Sequence, residues 1–167
     1  MHLDLIKKEL AAEQEALSQI AGQVNQDMED FLATLMQCRG RIVICAQDQN
    51  REAGRKTFSA LTQADTPCIF VYNDETFAPD VELVFPEDTL LLLSLEGDSD
   101  THQHLLRFVH EQRCKLAAIT SDPESPAAKV AHSHLTATSP ATLGTLGYLL
   151  ARAFNQAREL KTSADQA

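Results

Sequence analysis

Cysteine is scarce and poorly placed for metal or redox chemistry. Only Cys38, Cys45, Cys68 and Cys114 occur, and no two are spaced as CxxC, which excludes zinc-ribbon and thioredoxin-type sites. Cys45 and Cys68 lie in apolar runs, where a reduced thiol behaves as a small hydrophobe. Long apolar stretches are missing too: none approaches the roughly 18–20 residues that span a bilayer. The opening, MHLDLIKKELAAEQEAL, mixes charges among its apolar residues and has no secretory h-region, so a cytoplasmic protein that binds no membrane is expected. Positive charge is the third shortage. Fourteen Lys and Arg stand against 24 Asp and Glu, a net charge of −10, and nucleic acid or anionic lipid is repelled at long range. No internal repeat, low-complexity segment or linker is seen.

What is present fits one globular domain. Hydrophobic residues make up 44% and charged residues 23% of 167. A chain of that length buries roughly 70% of its unfolded surface without a metal or disulfide staple.

Residues 3–38 have helical periodicity. Leu3, Ile6, Leu10, Leu17, Ile20, Val24, Phe31 and Leu35 recur at steps of three, four or seven, with Gly22 dividing two helices. Two helices ahead of any strand must pack on the following sheet or on another subunit. The period then changes. Arg41–Cys45, Pro67–Tyr72, Leu90–Leu93 and Leu116–Ile119 are short unbroken apolar runs, as central parallel strands covered on both faces require. Ser133–Ala137 is a fifth candidate strand. Helices are expected over Asn50–Ala64, Ser99–Gln112, Pro126–His132 and Ser139–Lys161. The alternation predicts an α/β fold: a doubly wound, mostly parallel five-stranded sheet flanked by helices. Two leading helices (1–38), an α/β domain (39–161) and a frayed tail (162–167) make up the chain, with ligands expected beyond the carboxyl ends of the strands.

Certain residues carry a more specific likeness. They are Gly40-Arg41-Ile42-Val43-Ile44, Arg55-Lys56, Thr66-Pro67-Cys68-Ile69-Phe70-Val71, Leu93-Ser94 with Gly97, Ala118-Ile119-Thr120, Pro123, Ser125 and Ala131–Leu135. In register and without gaps, they resemble the SIS (sugar isomerase) domain family, and most of all its arabinose-5-phosphate isomerase branch. The resemblance implies a phosphosugar ligand and a homo-oligomer, dimer or tetramer, assembled through the leading helices.

The loops depart from that pattern. Where the family carries G-x-G-K-S, with lysine and serine facing the sugar phosphate, this chain has Ala46-Gln47-Asp48-Gln49-Asn50. Both turn glycines are absent, so a less intimate backbone approach to phosphate is expected. Where the family has S-N-S-G-E-T, the chain reads Ser94-Leu95-Glu96-Gly97-Asp98-Ser99, and Thr101 stands where the isomerase branch places a catalytic glutamate. The family's H-G-D is reduced to Ala78-Pro79-Asp80, and its E-A-C-P-L segment has no counterpart between Leu135 and Pro140.

Aldose–ketose isomerisation needs a base, an acid and a phosphate anchor. Uncharged Gln49 moves no proton at neutral pH, and an inward Glu96 repels phosphate more strongly than a helix dipole attracts it. The candidate ligand-binding residues are therefore Gln49, Asn50, Ser94, Glu96, Gly97 and Ser99, with no catalytic residue, cofactor or metal assigned. Asp98 or Ser99 is expected to cap the following helix. His102, His104, His110, His132 and His134 read as surface residues, and Arg113 and Lys115 as cations at a helix C-terminus. The expected function is a SIS-like protein, non-catalytic, that binds a carbohydrate derivative or a protein partner. The alternative is an active aldose–ketose phosphosugar isomerase with relocated catalytic residues.

Overall fold

The unbroken apolar runs become strands because each side chain, up or down, meets a covered face. The computed structural model describes residues 1–167. Helices α1 (His2–Ala21) and α2 (Gln26–Met36) lead into β1 (Ile42–Cys45), α3 (Arg51–Thr62), β2 (Cys68–Val71) and β3 (Thr89–Leu93). Then follow α4 (Gln103–Gln112), β4 (Lys115–Thr120), α5 (Pro126–Val130), β5 (Ser133–Thr136) and α6 (Pro140–Asp165). The order across the five-stranded sheet is β2-β1-β3-β4-β5, and every pairing is parallel. The sheet expected to be mostly parallel is thus wholly so.

Strand alternation divides the core into two layers. Ile42, Ile44, Leu91, Leu93 and Ile119 face α2, α3 and α6, where Phe31, Leu61, Leu146 and Leu150 meet them. Val43, Cys45, Leu90, Leu92 and Leu116 face the other way, toward Leu105 and Val109 of α4 and toward Phe77 and Ala127. Covered on both sides, the sheet is doubly wound.

Two helix limits differ from expectation by four residues, the others by no more than two. Helix α4 begins at Gln103 rather than Ser99, because residues 99–102 are turns. Helix α6 continues through the stretch expected to fray, as far as Asp165. The hydroxyls of Thr162 and Ser163 donate back to the carbonyls of Arg158 and Glu159, and no breaker interrupts the run. Helix α1 lies against α6 but buries only Ala16 and Ile20, leaving Leu3, Ile6, Leu10 and Leu17 exposed along one stripe. No helix is long and apolar enough to cross a membrane.

Candidate functional site

Strand order reverses between β1 and β3: the chain leaves β1 toward β2 on one side and returns as β3 on the other. Loops diverge at such a switch point and open a crevice. Its walls are Ala46–Asn50, after β1, and Ser94–His102, after β3.

The first wall turns through Asp48, whose φ is +48°, and a 3-10 turn over Asp48–Asn50 delivers the chain into α3. Left-handed backbone costs a residue bearing a Cβ roughly 1–2 kcal/mol, with Asp among the more tolerant types. Asp48, which stands at the second glycine position of the family pattern, thus takes the left-handed conformation with a carboxylate side chain in the turn. The second wall turns through Gly97 at φ +58°. Here glycine is required twice over, since an added Cβ would lie 2.7 Å from Ser125 Oγ and 2.9 Å from Thr120 Cγ2.

Glu96 bridges the two walls. Its carboxylate accepts from the Gln49 side-chain amide, from Asn50 Nδ2 at 2.9 Å and from Ser94 Oγ at 3.3 Å. Asn50 is buried, and its Oδ1 accepts from Leu95 N at 3.2 Å, so one side chain clasps the opposite loop twice. Partial burial works to raise the Glu96 carboxyl, but donation from Asn50, its own amide, Gln49 and Ser94 prevails and holds it below the usual range.

Behind Glu96 runs a buried relay. Ser94, fully enclosed, accepts from Gly97 N at 3.1 Å and meets His102 Nε2 at 2.9 Å. The other ring nitrogen, Nδ1, lies 3.2 Å from Gln47 Nε2, which also donates to Thr101 O. An amide nitrogen facing Nδ1 makes that atom the acceptor, so His102 carries its proton on Nε2 and donates to Ser94. Burial depresses the His102 pKa, against the pull of Asp74, Asp98, Glu96 and Asp48, and the ring stays neutral. His102 is therefore a core residue and not the surface histidine expected; His132 and His134 are tied to β4 through Leu116 N and the Thr120 hydroxyl.

The start of α4 is satisfied from a distance. Asp74, buried in the turn after β2, accepts from His104 N at 3.0 Å and Leu105 N at 3.1 Å. A carboxylate of the chain itself thus occupies the amides that would receive an anion. Asp98 accepts from Thr101 N at 2.6 Å, closing the preceding turn rather than capping the helix proper. Ser99 is exposed at the loop tip, outside this network. The structure therefore brings together Gln49, Asn50, Ser94, Glu96 and Gly97 but not Ser99, and it adds Gln47, Asp48, Asp74 and His102. Asp48 alone had a sequence signal, as the Asx residue standing at a turn-glycine position.

Beside Gln49 a hollow of about 230 Å³ opens between α1, α3 and the start of α6, with Glu9, Glu13, Glu52 and Lys56 as its charged lining. Thr145 Oγ1 donates to Glu13 Oε2 at 2.9 Å, linking α6 to α1 there.

A model of the SIS domain matches residues 35–154. The chain belongs to the SIS domain family. Among curated relatives, the arabinose 5-phosphate isomerase KdsD of Yersinia pestis is 28% identical over 141 residues, covering 84% of this chain and 43% of that protein. This SIS chain spans about two fifths of the length of the curated relatives it matches. Its fold is that of an E. coli CFT073 protein solved with arabinose 5-phosphate (TM-score 0.82, 18% identity, 94% of this chain and 91% of that one). It is also that of the sugar isomerase domain of an RpiR transcription factor from Sphaerobacter thermophilus (TM-score 0.75, 16% identity, 98% and 99%).

Proposed function

We propose that this chain is a non-catalytic SIS module that binds an uncharged carbohydrate derivative beside Gln49 and assembles as a homo-oligomer. One observation carries the reading: the Glu96 carboxylate, though solvent-exposed, spans the two walls of the switch-point crevice, held there by Gln49, Asn50 and Ser94. A phosphate brought within about 4 Å of it meets repulsion of about 1 kcal/mol per charge pair in water and about 4 kcal/mol near a protein surface. A helix terminus offers an anion about 0.3–1 kcal/mol, and here Asp74 already takes that place.

Proton transfer between neighbouring sugar carbons also finds no free base among the side chains that clasp the crevice. Glu96 is engaged by three side-chain donors, which together with a depressed pKa leave it weakly basic. His102 has both ring nitrogens engaged inside the protein. What remains is a polar hollow that is acidic on balance, with side chains suited to hydroxyl groups rather than to a phosphate ester.

The test is incubation with arabinose 5-phosphate and other pentose and hexose phosphates, followed by proton NMR. No aldose–ketose conversion is expected; turnover at 1–10³ per second, the ordinary enzymatic range, would overturn the reading and restore the isomerase alternative. Saturation-transfer NMR with neutral sugars should show contact, lost in Gln49→Ala. Glu96→Ser, which returns a hydroxyl to the family's position, should raise affinity for sugar phosphates about tenfold or more by removing the repulsion.

A further inference from the structure

The opposite end of the sheet has a different electrostatic character. At the amino ends of β1, β3 and β4 lies an open hollow of about 800 Å³. Four cations reach it from separate parts of the chain. Arg39 comes from the α2–β1 connection, Arg113 from the turn after α4, Lys115 from the first position of β4 and Lys161 from α6.

None of the four has a carboxylate partner. The ion pairs of this chain are the N-terminus with Asp4, Arg41 with Asp88, and Lys129 with Glu124. Lys115 donates to the uncharged Gln37 Oε1 at 2.7 Å. Two acidic residues, Glu87 and Asp88, share the lining. Asp88 is spent: Arg41 NH2 and Phe85 N bond its Oδ2, while Arg41 N and Nε bond its Oδ1. Glu87 is the remaining acid, with Asp165 on the adjoining groove past Lys161. So four of the fourteen basic residues in a chain of charge −10 converge on one concavity.

Helix dipoles account for part of this. Arg113 is the C-cap of α4 at φ +53°, where a cation gains about 0.3–1 kcal/mol from the helix end. That gain fades within one turn, so it does not explain Arg39, in a connection, or Lys161, more than a turn before the end of α6. A long polyanion is a poor occupant, because outside the hollow it would meet the acidic remainder of the surface. A compact one stays within reach of the cations, at distances comparable to the ~8 Å screening length of physiological salt. Arg39 and Arg113 supply planar forks for paired phosphate oxygens, and Lys115 and Lys161 add point charges.

We propose that this hollow binds a small molecule carrying two or more linked phosphate groups. The site is separate from the switch-point crevice and stands whether or not a carbohydrate binds there.

The test is calorimetric titration of the full chain with inorganic tripolyphosphate and with orthophosphate. Saturable one-to-one binding of tripolyphosphate is expected, with orthophosphate about tenfold weaker or more because it spans fewer cations. The double substitution Arg39→Gln with Lys161→Gln should weaken tripolyphosphate about tenfold or more. Both positions are exposed and unbonded, so the ligand-free melting temperature should not move. Absence of saturable binding, wild-type affinity in the double variant, or an equal loss on Lys7→Gln with Lys8→Gln would each overturn the proposal.

Discussion

At the scale of single residues, Glu96 and Gly97 divide the work of closing the crevice. Gly97 lets the loop double back, so that its amide reaches Ser94 Oγ and its carbonyl receives Ala127 N at 3.1 Å. Glu96, one residue earlier, is thereby aimed at Asn50. Replacing Gly97 by alanine places a methyl against Ser125 and Thr120 in a left-handed backbone, which should cost about 1–3 kcal/mol. Urea unfolding reads this as a lower midpoint with an unchanged slope. The exchange of family residues for Gln49, Asn50 and Glu96 was legible one letter at a time. The direction of the Glu96 carboxylate was not, because it depends on two loops 46 residues apart in sequence meeting across β1 and β3. His102 was misread for a related reason: a histidine in a polar stretch carries no local mark of enclosure, and its partner Gln47 lies 55 residues away in the other wall.

At the scale of elements, α4 depends on a residue outside itself. Its N-cap, His102, makes no capping hydrogen bond with its side chain, and the two amides that follow Gln103 are satisfied by Asp74. Asp74→Ala strands both donors and should cost about 1–2 kcal/mol, the scale of a lost cap. Hydrogen exchange should locate the damage, with faster exchange at Leu105 and little change in the β1 amides. Helices with their own caps were placed closely from sequence: Ser125 and Ser139 accept from Ala128 N and Thr142 N, each ahead of a first-turn proline. Helix α4, capped from 30 residues away, was placed four residues early.

At the scale of the whole molecule, acidification should destabilise the fold in two stages. Burial is the leading cause that lowers the pKa of His102, His132 and His134 below their ordinary 6.5. Between the folded and unfolded pKa values the unfolded chain binds more protons. The stabilisation is therefore complete above about pH 6.5 and lost as pH falls through the depressed values. Asp88, Glu96 and Asp98, held below ordinary values of 3.8 to 4.5 by donors that include Arg41, Asn50 and Thr101, add a second loss at lower pH. Melting temperature should drop between about pH 7 and pH 5, and less steeply in His102→Gln. Association belongs to this scale too. Leu3, Ile6 and Leu10 on α1 are more than half exposed, and burying each fully would contribute about 1.5–3 kcal/mol. Sedimentation of the proposed homo-oligomer should show dissociation in the pair Ile6→Glu with Leu10→Glu, while the far-ultraviolet spectrum stays helical.

By itself the sequence determined the strands, the helices, the sheet class and the SIS likeness. Those follow from periodicity and from residues whose environment is set by near neighbours. Tertiary structure decided what the loops became: which carboxylate entered the crevice, which histidine was sealed behind it, and which four cations met at the far end of the sheet. Each of those depends on contacts between segments distant in sequence, and side-chain periodicity holds no record of such distances.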